Sequence, residues 1–268
     1  MTLSNKIDFA VVFSVKHANP NGDPLNGNRP RTTYAGMGEI SDVCIKRKIR
    51  NRLLDMGQEI FVQSDDYKVD DCKSLRERAN VILNDKTIKD KAPAVCQKWL
   101  DVRAFGQVFA YSADKKGEGL SMPVRGPVSI HPAFSLEQVD IASNQITKSV
   151  SGEGDGKKKA SDTMGMKHRV EDAIYSFVGS MNPQLATKTG FSDEDAKLIK
   201  QVLPKLFEND ESSARPAGSM EVLKVVWWDH NCPHGQYSSA KVHRSLNVDN
   251  NGTISFENLD GLEPEVID

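Results

Sequence analysis

The chain has 268 residues, of which 38% are hydrophobic and 27% charged, and these fractions are typical of a globular protein. Its net charge of -2 is unusual for a nucleic-acid binder, but cations crowd into residues 46–52 (KRKIRNR) while the C-terminal stretch is acidic. No apolar run reaches the roughly 20 residues of a membrane helix and no secretory signal opens the chain, so we expect a cytoplasmic protein without a membrane partner.

The first elements are a strand and a loop. Ile7 to Val15 is a β-branched and aromatic run, which predicts a buried strand. Asn19 to Arg31 is rich in asparagine, glycine and proline, and this composition disfavours both helices and sheets. We therefore expect a loop that projects from the end of the first strand.

A helix is predicted from Gly38 to Met56, because apolar side chains recur at four-residue steps (Ile45, Ile49 and Leu53). Two pairs of cations flank this stripe. By helical spacing Lys46 and Arg50 share one face, and Lys48 and Arg52 share another. The cations therefore cannot all contact one ligand.

The middle of the chain is less regular. Asp66 to Pro93 is polar and is predicted to be a peripheral helical insertion. In Trp99 to Tyr111 a helix face is predicted from three apolar residues (Phe105, Val108 and Phe109). Val124 to His131 then has the pattern of a strand.

Between Ser143 and Arg169 the apolar periodicity disappears and glycine, serine and lysine dominate, which predicts a projecting hairpin or arm. Val170 to Val178 has the pattern of a strand that returns to the body. Ser192 and Asp195 approximate a capping box, so a helix is predicted from Ser192 to Phe207. Strands are predicted at Glu221 to Trp228 and Thr253 to Phe256.

The principal elements follow the order strand, helix, strand, strand, helix, strand. This is the order of the ferredoxin-like βαββαβ fold, which indicates an α+β protein with a scaffold that also occurs in RNA-recognition motifs. The same scaffold carries many unrelated functions, so the order alone assigns none.

Several motifs, taken in order and spacing, resemble those of one family. They are NPNGD at Asn19–Asp23, IKRKIR at Ile45–Arg50, DVRAFG at Asp101–Gly106, GPVSIHPAFSL at Gly126–Leu136 and TMGMKHR at Thr163–Arg169. Together with the opening strand they resemble the backbone subunit of type I CRISPR interference complexes (Cascade), most closely that of subtype I-C, in the RAMP superfamily. The likeness spans nearly the whole chain.

The resemblance implies a single RAMP-type domain over residues 1–268, with a modified ferredoxin-like palm, a finger-like helical insertion at 66–93 and a thumb-like hairpin at 143–169. It implies a non-enzymatic subunit without a cofactor, whose copies stack along a CRISPR RNA and leave the guide bases free to pair with target DNA. The implied partners are CRISPR RNA, the target DNA strand, further copies of the chain, other Cascade subunits and a recruited nuclease-helicase.

Binding RNA without reading its sequence requires cations and donors directed at phosphate and ribose. The residues that match this requirement lie on the first helix, in the loop after the first strand and in the predicted arm: Asn19, Asn21, Arg29, Arg31, Lys46, Arg50, Lys148, Met164, Lys167, His168 and Arg169. Met164 is a suitable apolar wedge against a displaced base. The competing interpretations are a solvated helix flank for Lys46 and Arg50, a plain turn for the asparagines and a lysine-rich solubility loop for Lys157 to Lys159.

Three other interpretations remain open. His230, Cys232 and His234 alternate in HNCPH, but structural zinc needs four ligands at wider spacing, so no metal is expected. An endoribonuclease would depend on Asp23, which has no partner acid in the sequence around it. A monomeric RNA-binding module is the third possibility, and it differs from the first interpretation in its assembly on RNA.

Overall fold

The computed structural model describes residues 1–111, 120–148 and 164–268. The strands are β1 Ile7–Ala18, β2 Gly22–Asp23, β3 Arg29–Pro30, β4 Met37–Ile40, β5 Gly106–Tyr111, β6 Leu120–Arg125, β7 Val128–Ile130, β8 Ala133–Gln138, β9 Ile141–Thr147, β10 Met164–Met181, β11 Met220–Asp229, β12 Leu246–Val248, β13 Ile254–Phe256 and β14 Glu265–Ile267. The helices are α1 Asp42–Asp55, α2 Leu75–Leu83, α3 Lys91–Lys98, α4 Leu100–Phe105, α5 Pro183–Thr189, α6 Asp193–Val202 and α7 Ser239–Ser245.

The protein is a mixed α+β fold built on a central antiparallel sheet. Within the described ranges eight strands form this sheet, in the order β14-β11-β1-β10-β8-β4, with β7 and β9 also paired to β10. The register of β1 against β10 runs from Ile7 opposite Met181 to Ala18 opposite Val170. Strand β10 therefore belongs to two pairings: its C-terminal part pairs with β1 in the centre of the sheet, and its N-terminal part pairs with β9.

The main core lies between one face of the sheet and the helices α1 and α6. The stripe predicted on α1 (Ile45, Ile49 and Leu53) is fully buried there. Burying such side chains contributes roughly 1.5–3 kcal/mol each relative to an exposed position. The paired tryptophans of β11 point to opposite faces: Trp227 joins the main core, and Trp228 joins a second cluster under the C-terminal segment.

The sequence between α1 and β7 has a core of its own. Phe61, Trp99 and Phe109 are buried against each other, with ring centroids 4.8 and 5.1 Å from Phe61. Helices α2 and α3 cover this cluster, and α2 and the start of α3 fall within the predicted helical insertion at 66–93. The insertion is therefore packed on an aromatic centre.

Several predicted elements are confirmed. Strand β1 covers the predicted Ile7–Val15, β10 covers Val170–Val178, β11 covers Glu221–Trp228, and β13 lies in the predicted Thr253–Phe256. The capping box at α6 is also confirmed, because Ser192 Oγ accepts from Asp195 N–H and Asp195 accepts from Ser192 N–H.

The helix predicted from Gly38 begins later, at Asp42. Ser41 is the N-cap, and its side chain accepts from the amide of Cys44. The residues before it form β4, whose Gly38 packs so closely on the ring of Tyr175 that a Cβ would lie 2.0 Å from the hydroxyl. The sheet contact, which a helical period cannot reveal, determines this boundary.

The helix face predicted from Phe105, Val108 and Phe109 is wrong. Helix α4 ends at Phe105, because Gly106 has φ of 81° and begins β5. In a strand neighbouring side chains point to opposite faces. Accordingly Phe109 is buried, whereas Val108 is exposed.

The strand predicted from Val124 to His131 is interrupted. Strand β6 ends at Arg125 and β7 begins at Val128. Gly126 between them lies against backbone, since a Cβ there would approach Ala104 O to 2.2 Å. Two short strands therefore replace one.

Candidate nucleic-acid interface

The predicted arm is anchored by an antiparallel ribbon of β9 and the first part of β10. The register runs from Met164 opposite Thr147 to Val170 opposite Ile141. We call residues 141–147 and 164–170 the arm. Residues 149–163, with the lysines at 157–159, lie outside the described residues.

The two faces of the arm carry different chemistry. Side chains alternate between the two faces along a strand, so Met164, Met166 and His168 of β10 lie on one side and Lys167 and Arg169 on the other. The two methionines are 60% and 54% exposed. Lys167 is exposed, and Lys148 is exposed just beyond the end of β9. One face is therefore apolar with an imidazole, and the other is basic.

Arg169 has an ion-pair partner at the surface. Arg169 Nε lies 3.2 Å from Glu171 Oε1, and both side chains are more than one-third exposed. Such a surface pair contributes little to stability, about 0–1 kcal/mol. The guanidinium therefore remains accessible to a polyanion.

The loop after β1 reaches the base of the arm. Arg29 on β3 donates from Nη1 to Ser143 Oγ at 2.8 Å, and the same Oγ lies 2.9 Å from His168 Nδ1. Arg31 is half-buried, and its Nη2 lies 3.6 Å from Asp23 Oδ1. The structure thus brings Arg29 and His168, which were predicted separately, onto one serine.

The asparagines of this loop make internal contacts. Asn19 is 4% exposed, and its Nδ2 donates to Asn28 O at 2.7 Å. Asn21 Oδ1 accepts from both the amide and the hydroxyl of Ser41 at 3.0 Å. Both side chains therefore hold the loop against itself and against the start of α1, as the turn interpretation requires.

The cations of α1 lie in contrasting environments. Lys46 pairs with Asp42 one turn earlier at 2.9 Å, with 23% of its side chain exposed. Arg50 is 8% exposed, and its Nε donates to Asp101 Oδ2 at 2.8 Å. Although Lys46 and Arg50 share a face and both approach the Phe105 ring, only Lys46 is accessible. The burial of Arg50 does not fit a solvated helix flank, and its predicted contact with RNA stays a prediction.

The remaining α1 cations are structural. Lys48 is 4% exposed and pairs with Asp210, and Arg52 pairs with Asp55 at 2.6 Å. Arg47 donates to Val62 O at 2.8 Å, and burial lowers the pKa of its guanidinium. These contacts attach α1 to the segments on either side of it.

Asp101 connects α1 to the aromatic cluster. It is 1% exposed, and besides Arg50 it accepts from the amides of Phe61 at 2.7 Å and Val62 at 3.0 Å. A buried carboxylate is tolerated only when its hydrogen bonds are satisfied in this way. Sequence reasoning marked this residue only as part of the DVRAFG motif and missed its contacts.

Asp23, the residue on which a ribonuclease would depend, has a local role. Its Oδ1 accepts from Leu25 N–H at 3.2 Å and lies near Arg31. This is the N-cap of a short 3-10 turn at Pro24–Asn26. Among the described residues no group of three His, Cys, Asp or Glu side chains is placed so that it could hold a metal ion.

The HNCPH segment contains a buried histidine. His230 is fully buried; its Nε2 lies 2.8 Å from Asp8 Oδ2, and its Nδ1 accepts from the amide of Gln236. Burial acts to raise the pKa of Asp8, but hydrogen bonds from His230 and His243 outweigh it and hold that pKa well below its usual range. His230 therefore joins the C-terminal segment to β1.

Comparison with known proteins decides the family. The family model of CRISPR-associated protein Cas7 matches residues 5–263. The chain belongs to the Cas7 family. A Cas7 protein of Haloferax volcanii, described as "CRISPR-associated protein Cas7", is 27% identical over 295 residues, which cover 100% of this chain and 82% of that protein.

Solved structures give a weaker likeness to this Cas7 family member. A chain of a "CRISPR RNA-guided surveillance complex, pre-nicking" is 13% identical with a TM-score of 0.49, covering 83% of this chain and 78% of that one. A chain of another "CRISPR RNA-guided surveillance complex" is 15% identical with a TM-score of 0.44, covering 83% and 68%. Both scores are below 0.5 and add nothing to the family assignment.

In the described residues no helix is both long and apolar enough to cross a membrane.

Proposed function

We propose that this chain is a non-catalytic, RNA-binding backbone subunit of a type I-C CRISPR surveillance complex, whose copies line up along the guide RNA. Membership of the Cas7 family over residues 5–263 supports the assignment. The guide bases then read target DNA by pairing, while the protein holds the backbone. Other subunits of the complex and a recruited nuclease-helicase complete the activity.

The sheet order supports a ferredoxin-like palm. The strands β11, β1, β10 and β8 are neighbours in that order and are all antiparallel. Helix α1 follows β1, and α6 precedes β11, as in a βαββαβ unit. In this proposal the segment at 66–93 is the finger and the segment at 143–169 is the thumb.

The observation that carries the proposal is the contact between the arm and the loop after β1. Arg29 and His168 come from segments far apart in sequence, yet they meet on Ser143 of the arm, and Lys167 lies on the other face of the same ribbon. Charged groups of this kind bind phosphate without distinguishing bases. The arm offers Met164 beside them as an apolar surface for a base.

The proposed contact residues follow from exposure. They are Arg29, Arg31, Lys46, Lys148, Met164, Lys167, His168 and Arg169. Asn19, Asn21 and Arg50 contribute by holding the loop and α1 in position. Asp23 caps a turn in this proposal, so Asp23→Ala should leave RNA intact and RNA affinity unchanged.

Assembly on RNA tests the proposal. The purified chain is mixed with unstructured RNAs of two unrelated sequences, each in several lengths, and native mass spectrometry counts the protomers. We expect the count to rise in proportion to length and to be the same for both sequences. A fixed one-to-one complex would support a monomeric module instead, and cleavage that Asp23→Ala abolishes would support a ribonuclease.

A further inference from the structure

Ser143 is the point at which the loop and both strands of the arm meet. Its hydroxyl oxygen lies 2.8 Å from Arg29 Nη1 and 2.9 Å from His168 Nδ1. Arg29 is 114 residues away in sequence and His168 is 25 residues away. Nothing in the sequence pattern marks this serine, because it lies in a polar strand with exposed neighbours.

Counting hydrogens fixes the direction of these bonds. A hydroxyl has one hydrogen to donate and two lone pairs, and a guanidinium only donates. Ser143 Oγ therefore accepts from Arg29. With His168 neutral, the hydroxyl hydrogen goes to Nδ1, so the imidazole hydrogen is on Nε2.

We propose that Ser143 is a positioning residue that builds one anion site from Arg29 and His168, and that the ligand is a phosphodiester group of RNA. The inference rests on the proposed function and deepens it, since it names how two separate segments act on one phosphate. Arg29 keeps its other N–H groups for the ligand, and His168 offers Nε2–H. Removing the serine leaves both side chains free to rotate away.

The same geometry makes the site respond to acid. A protonated His168 donates from Nδ1 to Ser143 Oγ, which releases the hydroxyl hydrogen for the ligand. With the imidazole protonated, the site therefore has one more positive charge and one more donor for RNA than with the imidazole neutral.

Several charged groups surround His168. From β3 the facing charge is Arg29, and from β9 the facing neighbours Ser143 and Gln145 are neutral. On β10 the charged neighbours are on the opposite face: Lys167 and Arg169, the latter paired with Glu171. Glu171 also lies 2.9 Å from His17 Nδ1 at the end of β1.

A double-mutant cycle tests the inference. RNA affinity is measured by fluorescence anisotropy for wild type, Arg29→Ala, Ser143→Ala and the double variant, with Ser143→Thr as rescue and Ser129→Ala as the matched control on the exposed part of β7. We expect Ser143→Ala to weaken binding about tenfold. The double variant should lose less than the sum of the two single losses, because Ser143 acts partly through Arg29. Thr restores the hydroxyl and affinity, and Ser129→Ala changes nothing.

The pH profile separates positioning from a folding defect. RNA affinity is measured over a range of pH for wild type, His168→Gln and Ser143→Ala, and wild-type affinity should rise towards acid. The rise should vanish in His168→Gln and be smaller in Ser143→Ala. Additive losses in the cycle together with one pH profile for wild type and Ser143→Ala would overturn the inference while leaving the proposed function standing. If wild type itself does not bind RNA, the proposed function fails first.

Discussion

Helix α1 and the arm use their cations differently. On α1 three cations are at most 8% exposed, and each pairs with a carboxylate: Lys48, Arg50 and Arg52. On the arm Lys167 is exposed, and His168 contacts the hydroxyl of Ser143. The two regions have the same kinds of side chain. They differ because the helix lies against the core along one side, while the ribbon leaves the sheet. Cations near a core are used for folding, and cations on a projecting element remain available to a ligand.

The largest loss of stability is expected when Asp101, the buried partner of Arg50 on α1, is replaced. Asp101→Ala removes the partner of Arg50 and two amide contacts, and it leaves a buried guanidinium unpaired. We expect the free energy of unfolding to fall by about 3 to 5 kcal/mol. Urea denaturation measures it.

The control for Asp101 is Asp42→Ala, which removes the partner of Lys46, a carboxylate that is 35% exposed. That change should cost less than about 0.5 kcal/mol. Equal losses for the two variants would mean that burial does not distinguish these carboxylates.

The comparison can be sharpened within α1 by two lysines on different faces. Lys48→Ala leaves Asp210 without its buried partner, and we expect a stability loss of about 2 kcal/mol. Lys46→Ala should leave stability nearly unchanged and weaken binding to every RNA alike, because this side chain is accessible. Denaturation and anisotropy on both variants check the pair. The reverse assignment of effects would remove Lys46 from the interface.

The smallest effect is expected on the buried half of β10, at Tyr175. Its ring is fully buried and stacks on Phe13, and its hydroxyl has no hydrogen-bond partner among the described residues. Burial raises the pKa of the phenol. Tyr175→Phe should therefore leave the protein equally stable or up to about 1 kcal/mol more stable.

Tyr237→Phe is the matched control for Tyr175, since this hydroxyl donates to Asp260 O at 2.9 Å. Its loss should cost about 0.5 to 1 kcal/mol in thermal or urea unfolding. A larger loss at Tyr175 than at Tyr237 would show that the buried hydroxyl has a stabilising partner.

Local sequence signals predicted the elements whose cause is local. The alternation in β1, the stripe on α1 and the capping box of Ser192 and Asp195 all depend on neighbours within a few residues. The wrong predictions concern elements whose ends depend on contacts with a segment far away in sequence. Gly38, predicted in the helix, lies in β4 against Tyr175, and the backbone against Gly106 and Gly126 divides the central elements.

The candidate site follows the same rule. Composition predicted an arm at 143–169, because a lysine- and glycine-rich stretch cannot form a core, and the structure describes the two ends of that segment as paired strands. The burial of Arg50 was not predictable, since its partner Asp101 is 51 residues away. Ser143 was missed for the same reason, because its importance comes from two contacts that only the folded chain brings together.

The salt dependence of RNA binding tests the central claim most directly. Anisotropy titrations over a range of salt concentrations are compared for wild type and the Lys167→Ala/Arg169→Ala variant, each with two RNAs of unrelated sequence. The account predicts one affinity and one slope for both RNAs, and a slope shallower by about 0.7 for each lost contact in the variant. An unchanged slope, or a loss confined to one of the two sequences, would contradict backbone recognition by the arm.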